Sequence, residues 1–210
     1  MRDIDISAWI RGVGRRVEAR VELDELIRVV ILSRTYRTPR VEVWDALTSA
    51  ARLSKWFLPV EGDLREGGHY SLQGNAAGSI RLCRPPERLA ITWENAGEVS
   101  FVSIELSEDA GTTELRLEHV NCLNEPMWTQ FGPGAVGVGW ELGLLGLSFT
   151  LEAGFEMQLE ERMQWPQSEA GKALIAAGTC AWSDAAVVSG EDPEMAKRAA
   201  EATRAFYTGE

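Results

Sequence analysis

Short alternating stretches fill the middle of the chain, and one long apolar stretch follows them. Leu89, Ile91 and Trp93 alternate with Ala90, Thr92 and Glu94, and Thr113, Leu115, Leu117 and His119 alternate with Glu114, Arg116 and Glu118. A period of two sends one set to a buried sheet face and the other to solvent, so both stretches are predicted strands and His119 points to the core side. His69, next to Tyr70, is expected on the opposite face of its own strand. Turn signals separate these segments at Arg65-Glu66-Gly67-Gly68, Gly74-Asn75, Pro85-Pro86, Asn95-Ala96-Gly97 and Asp109-Ala110-Gly111. The pattern predicts an antiparallel meander, with three-residue hairpin loops that end in glycine.

Before the meander, the β-branched run of residues 26–38 predicts a strand closed by Pro39, and Val41, Trp44 and Leu47 then recur at helical spacing. Ser49 is a cap for a second short helix with an apolar face of Leu53, Trp56 and Phe57, ended by Pro59. Residues 1–24 have mixed charge and weak periodicity, and read as a short helix or an extended arm.

After the meander, residues 132–151 predict a long helix that begins at Gly132-Pro133-Gly134. At 100° per residue Trp140, Leu144, Leu147 and Leu151 share one face, and Val138, Leu142, Leu145 and Phe149 share the opposite one. Glu141, Ser148 and Glu152 form a narrow edge between them, expected to face solvent. Gly139, Gly143 and Gly146 line a groove across from that edge, which serves either a close backbone contact or a ligand space. The continuous polar edge and the lack of flanking Lys or Arg argue against a membrane span. Past Gly154 the chain turns alanine-rich and acidic, and residues 168–188 and 193–207 predict two helices. The second carries a stripe of Met195, Ala199, Ala202 and Phe206. These helices either cover the main domain or provide a homodimer contact.

With 210 residues, 45% hydrophobic and 25% charged, the composition is that of a globular protein with one main domain. A formal charge of −11 argues against nucleic acid or anionic membrane as partners. The basic cluster Arg11, Arg15, Arg16 and Arg20 is interleaved with Glu18 and reads as a solvated helix face. No hydrophobic region follows the N-terminal arginines, so the expected location is cytoplasmic. Cys83, Cys122 and Cys180 are widely spaced and read as reduced thiols. Two histidines on different strands and no HExxH give no metal site, and no GxSxG elbow or phosphate-binding loop is present. No cofactor is expected, and no residue is assigned a catalytic role.

The succession of elements is specific. Pro39-Arg40-Val41-Glu42-Val43-Trp44-Asp45-Ala46-Leu47-Thr48, Leu53-Ser54-Lys55-Trp56-Phe57, Asp63-Leu64-Arg65-Glu66-Gly67-Gly68, Pro86-Glu87-Arg88-Leu89, Ile91-Thr92-Trp93 and Gly139-Trp140 stand in one order across about residues 31–154. In that order they resemble the family similar to the C-terminal domain of the activator of the Hsp90 ATPase, within the START and Bet v 1 superfamily. The resemblance implies an α+β helix-grip fold, in which a curved antiparallel sheet wraps a long helix around an apolar cavity. It also implies a division into an N-terminal arm or helix (1–25), a START-like domain (26–154) and a C-terminal helical extension (155–210). On that fold Trp56, Phe57, Tyr70, Trp93, Phe101, His119 and Trp140 are candidates to line the cavity, with Gly139 and Gly143 on its helix side. Three functions are implied: binding of a small hydrophobic or amphipathic ligand, activation of an Hsp90-type chaperone, and cyclase- or aromatase-like catalysis with His119 and Tyr70 as acid or base. The Hsp90 activator also uses a separate N-terminal domain, for which this chain has no segment of comparable size.

Overall fold

The computed structural model describes residues 4–22, 25–121 and 124–210. Cys122 lies outside the described residues, whereas Cys83 and Cys180 are free thiols. The chain begins with α1 (Ile6–Gly12) and β1 (Val13–Glu22), which pairs antiparallel with β2 (Glu25–Tyr36). Two short helices follow, α2 (Arg40–Thr48) and α3 (Ala50–Trp56), and then the meander: β3 (Val60–Gly62), β4 (His69–Leu72), β5 (Ala77–Arg84), β6 (Arg88–Asn95), β7 (Glu98–Asp109) and β8 (Thr112–Val120). All eight strands form one antiparallel sheet in the order β1-β2-β8-β7-β6-β5-β4-β3. The short α4 (Glu125–Phe131) leads into the long α5 (Gly134–Glu152), and α6 (Leu159–Gln164), α7 (Glu169–Val188) and α8 (Pro193–Thr208) complete the chain. This is the α+β helix-grip architecture.

The N-terminal segment is part of this sheet. β1 extends the sheet edge beside β2, with Val13 and Val17 buried and Arg16, Glu18 and Arg20 on the outer face, where Glu18 pairs with both arginines. Of the basic cluster Arg11 lies on α1, but Arg15, Arg16 and Arg20 belong to a strand and form no helix face. Alternation along β1 separates its members and turns Arg15 inward to an ion pair at the centre of the molecule. Hydrophobic content alone gives no sign of this strand, because the outer positions are charged and the inner ones include an arginine.

α5 is the core helix. Its length and mean hydropathy of 1.3 would suffice to cross a membrane, but it is enclosed by β2, α3, α7 and α8. Of the polar edge expected to meet solvent, Glu141 and Ser148 are buried, while Glu152 at the end of the helix is exposed. Glu141 is 2% exposed, Ser148 accepts a hydrogen bond from Arg34 Nε at 3.1 Å, and Glu152 accepts one from the Arg37 backbone at 3.1 Å. An isolated helix cannot reveal this, since the cover comes from β1, β2 and α7, far away in sequence.

α8 also departs from its predicted stripe. Ala196, Ala199 and Thr203 face inward, while Met195 and Phe206 are exposed. Small residues allow α8 to lie close to α7 and to the start of α5, where Thr203 donates to the Phe131 carbonyl and Tyr207 to the Ala135 carbonyl, each at 2.7 Å. Two hairpins have tighter loops than expected. Asn95 pairs with Glu98, and Asp109 with Thr112, so each loop has two residues, Ala96-Gly97 and Ala110-Gly111. All four have positive φ, the signature of a type I′ turn, whose twist matches that of the flanking strands.

Candidate functional site: an aromatic cavity and an outer groove

β4, β5, β6 and β7 curve over the side of α5 that carries Trp140, and α3 closes one end. Tyr70, Ile80 and Ile104 point inward from the buried phase of their strands, and Leu89, Ile91 and Trp93, half-buried on one face of β6, line the same space. With Trp56 and Phe57 from the end of α3 and Trp140 from α5, they enclose an apolar cavity of about 100 Å³. The aromatic rings form one connected set. Phe57 stacks on Trp140 with centroids 6.0 Å apart, and Trp93 meets Trp140 edge-on at 5.1 Å.

Trp56, Tyr70 and Trp140 of this wall have their side-chain polar atoms engaged within the protein. Trp56 Nε1 donates to the Ala46 carbonyl at 2.8 Å, and the Tyr70 hydroxyl donates to the Thr92 carbonyl at 2.7 Å. Burial raises the Tyr70 phenol above its ordinary pKa. His119 lies behind the wall, 3% exposed and outside the cavity lining. Its Nδ1 accepts from Trp140 Nε1 at 3.1 Å, so the proton sits on Nε2, which donates to Ser100 Oγ at 2.8 Å. Ser100 in turn donates to the Trp93 carbonyl at 3.2 Å. Burial pushes the imidazole pKa down to about 3, so it is neutral at physiological pH. The chain of bonds fixes the Trp140 ring and the Trp93 backbone rather than presenting an acid or base to the cavity.

Of the candidate lining residues, Trp56, Phe57, Tyr70, Trp93 and Trp140 come together around the cavity. Phe101 does not. It is 49% exposed on the outer face of β7, one residue out of phase with the buried Ser100, Val102 and Ile104. The apolar run Val102, Ile104, Leu106 carried the phase signal, and a preference for burying phenylalanine pointed the wrong way. Gly139 and Gly143 line a different space. On the glycine side of α5, a groove of about 400 Å³ opens between that helix, the end of α3 and the C-terminal extension. Trp56 and Phe57 are the wall common to both spaces. The glycine strip also permits close contact. A Cβ at Gly146 would sit 2.5 Å from the Trp56 carbonyl oxygen, and one at Gly139 would sit 2.8 Å from the Tyr207 hydroxyl.

A buried ion pair escaped the sequence reading. Arg15 donates from Nε and Nη2 to the two Glu141 oxygens at 2.8 and 2.6 Å, and Trp182 Nε1 donates to Oε1 at 2.7 Å. Arg15 also binds the Ile10 and Val13 carbonyls through Nη1. This bidentate, fully bonded arrangement ties β1, α5 and α7 together. Its one sequence signal was Glu141, a charge in the middle of the long apolar helix. Among the described residues no group of three or more His, Cys, Asp or Glu side chains is placed to hold a metal ion.

Known proteins share this architecture. CalU16 from Micromonospora echinospora is similar in its crystal structure, with 36% identity, a TM-score of 0.59 and coverage of 79% of this chain and 98% of that one. Its solution NMR structure aligns with 34% identity, a TM-score of 0.70 and coverage of 85% and 97%. DynU16, a protein of the dynemicin biosynthetic locus, shares the fold at 20% identity and a TM-score of 0.52, over 60% of this chain and 48% of that one. No curated protein matches the sequence. Residues 37–152, more than half of the chain, match the family described as Activator of Hsp90 ATPase homolog 1-like protein, and the chain belongs to that family.

Proposed function

We propose that this protein binds a compact, largely apolar ligand, about one aromatic ring in size, in the cavity between sheet and α5. The observation that carries this reading is an unfilled apolar space of about 100 Å³ walled by Phe57, Tyr70, Trp93 and Trp140. Protein interiors pack with few voids larger than a water molecule, so a space of this size within an aromatic wall is not ordinary packing. It is below the roughly 300–1,000 Å³ typical of drug-sized ligands, and close to the roughly 150 Å³ engineered cavity that takes up benzene. With the polar atoms of Trp56, Tyr70 and Trp140 paired internally, the wall selects chiefly by shape and apolar contact. A reducing cytoplasm suits the free thiols Cys83 and Cys180.

Thermal unfolding in the presence of saturating indole or toluene tests the reading. A ligand at one hundred times its Kd adds about 2.7 kcal/mol to apparent stability, so the wild-type melting temperature should rise. Ile91→Phe fills the cavity and should abolish that rise. No shift with any single-ring probe, or an undiminished shift in the filled variant, removes the basis of the proposal. A second reading, action on an Hsp90-type chaperone, is favoured by the family match over residues 37–152. An Hsp90 ATPase rate unchanged at saturating protein would rule it out.

A further inference from the structure

The outer groove has a charge balance opposite to that of the whole chain. The protein carries a formal charge of −11, yet the groove is lined by two cations, Lys55 and Arg162, and by no Asp or Glu. Arg162 reaches back from α6 to the C-terminal end of α3, where its Nη atoms donate to the carbonyls of Ser54, Lys55, Phe57 and Met157 at 2.7–3.2 Å. It has no carboxylate partner among the described residues, so carbonyl dipoles alone offset its charge, and burial holds its pKa below the ordinary value. Lys55 pairs with Glu156, which stands outside the groove lining.

The rest of the groove is apolar. Leu142, Phe149 and Met163 flank it, and the Phe57 ring, packed over Gly143, forms part of its inner wall. A volume of about 400 Å³ falls within the range of small-molecule sites. The far wall comes from residues beyond 152, outside the family match. Positive charge at the rim of a low-dielectric apolar groove favours an anion over a neutral molecule of the same shape. We infer that this groove is a second binding site, separate from the aromatic cavity, for an amphipathic organic anion whose apolar body lies along α5 and whose acidic head sits beside Lys55 and Arg162.

Two dyes with one ring skeleton test this. Fluorescence titrations compare 8-anilinonaphthalene-1-sulfonate with its uncharged counterpart N-phenyl-1-naphthylamine, on protein whose near-ultraviolet circular dichroism confirms the native fold. The sulfonate should bind about tenfold more tightly than the neutral dye, a preference that falls as salt is added. Met163 is 65% exposed, so Met163→Glu places a carboxylate in the groove without disturbing the core. That variant, and independently Lys55→Gln, should weaken the sulfonate about five- to tenfold and leave the neutral dye unchanged. Met163→Gln should alter neither. Equal affinity for the two dyes, or Met163→Glu behaving like Met163→Gln, overturns the inference. Loss of sulfonate binding in Ile91→Phe would place the dye in the inner cavity and equally overturn the groove assignment, whereas failure of single-ring probes to bind there leaves it standing.

Discussion

His119 and the Arg15–Glu141 pair are polar groups sealed in the core, and each makes folding depend on its protonation or on its partner. The folded-state pKa of His119 is lowered from 6.5 to about 3. The unfolded chain therefore binds the extra proton first, and stability present above pH 6.5 is lost as pH falls towards 3. Between pH 7 and pH 5 wild type should lose about 2 kcal/mol more than His119→Gln, read from urea unfolding at the two pH values. Parallel curves for the two proteins would show that His119 takes up its proton in the folded protein as readily as in the unfolded chain. For the ion pair, Arg15→Met leaves the Glu141 carboxylate buried without its cation and should destabilise by about 3–5 kcal/mol. Arg15→Met with Glu141→Gln should recover much of that loss, because the amide oxygen still accepts from Trp182 and no charge remains unpaired. An additive double mutant in the same urea assay would refute coupling.

Elements show how far periodicity reaches. The period of two in β6 and β8 sets their inward faces, and Pro39, Ser49 and Pro59 bound α2 and α3 as the sequence indicates. Hairpin geometry adds what composition lacks, since Ala96 and Ala110 hold positive φ values of 52° and 47°. An L-residue with a Cβ pays for that conformation, and asparagine tolerates it better. Ala96→Asn and Ala110→Asn should each stabilise by about 0.5–1 kcal/mol in thermal melts. In α5 the glycines separate by what lies above them. A Cβ at Gly143 would meet the Phe57 ring at 3.5 Å, ordinary contact, so Gly143→Ala should be neutral or stabilising by up to about 1 kcal/mol. Gly146→Ala drives a methyl against the Trp56 carbonyl and should destabilise by about 1–3 kcal/mol. Equal melting temperatures for the two variants would mean that α3 moves freely over α5.

At the scale of the whole molecule, the segments on either side of the family match complete the core. Trp182 packs on Gly137 and binds Glu141, and α8 closes over Gly134 and Gly139. A chain ending at Gly154 should therefore lose its cooperative calorimetric transition, while the full chain elutes as a monomer in gel filtration because the inner face of α8 is occupied within the chain. A cooperative melt of the shortened chain would make the extension an appendage. The sequence by itself determined the meander, the two short helices before it and the long helix after it. These follow from local periods and turn chemistry, which act over a few residues, whereas the candidate lining residues rested on the family resemblance. Only the tertiary structure decided that β1 joins the sheet, that Glu141 is buried, that Phe101 faces out and that the glycine strip borders a groove apart from the cavity. Burial is a property of what covers a residue. Arg15 lies 126 positions from Glu141, a separation at which no local pattern records the contact.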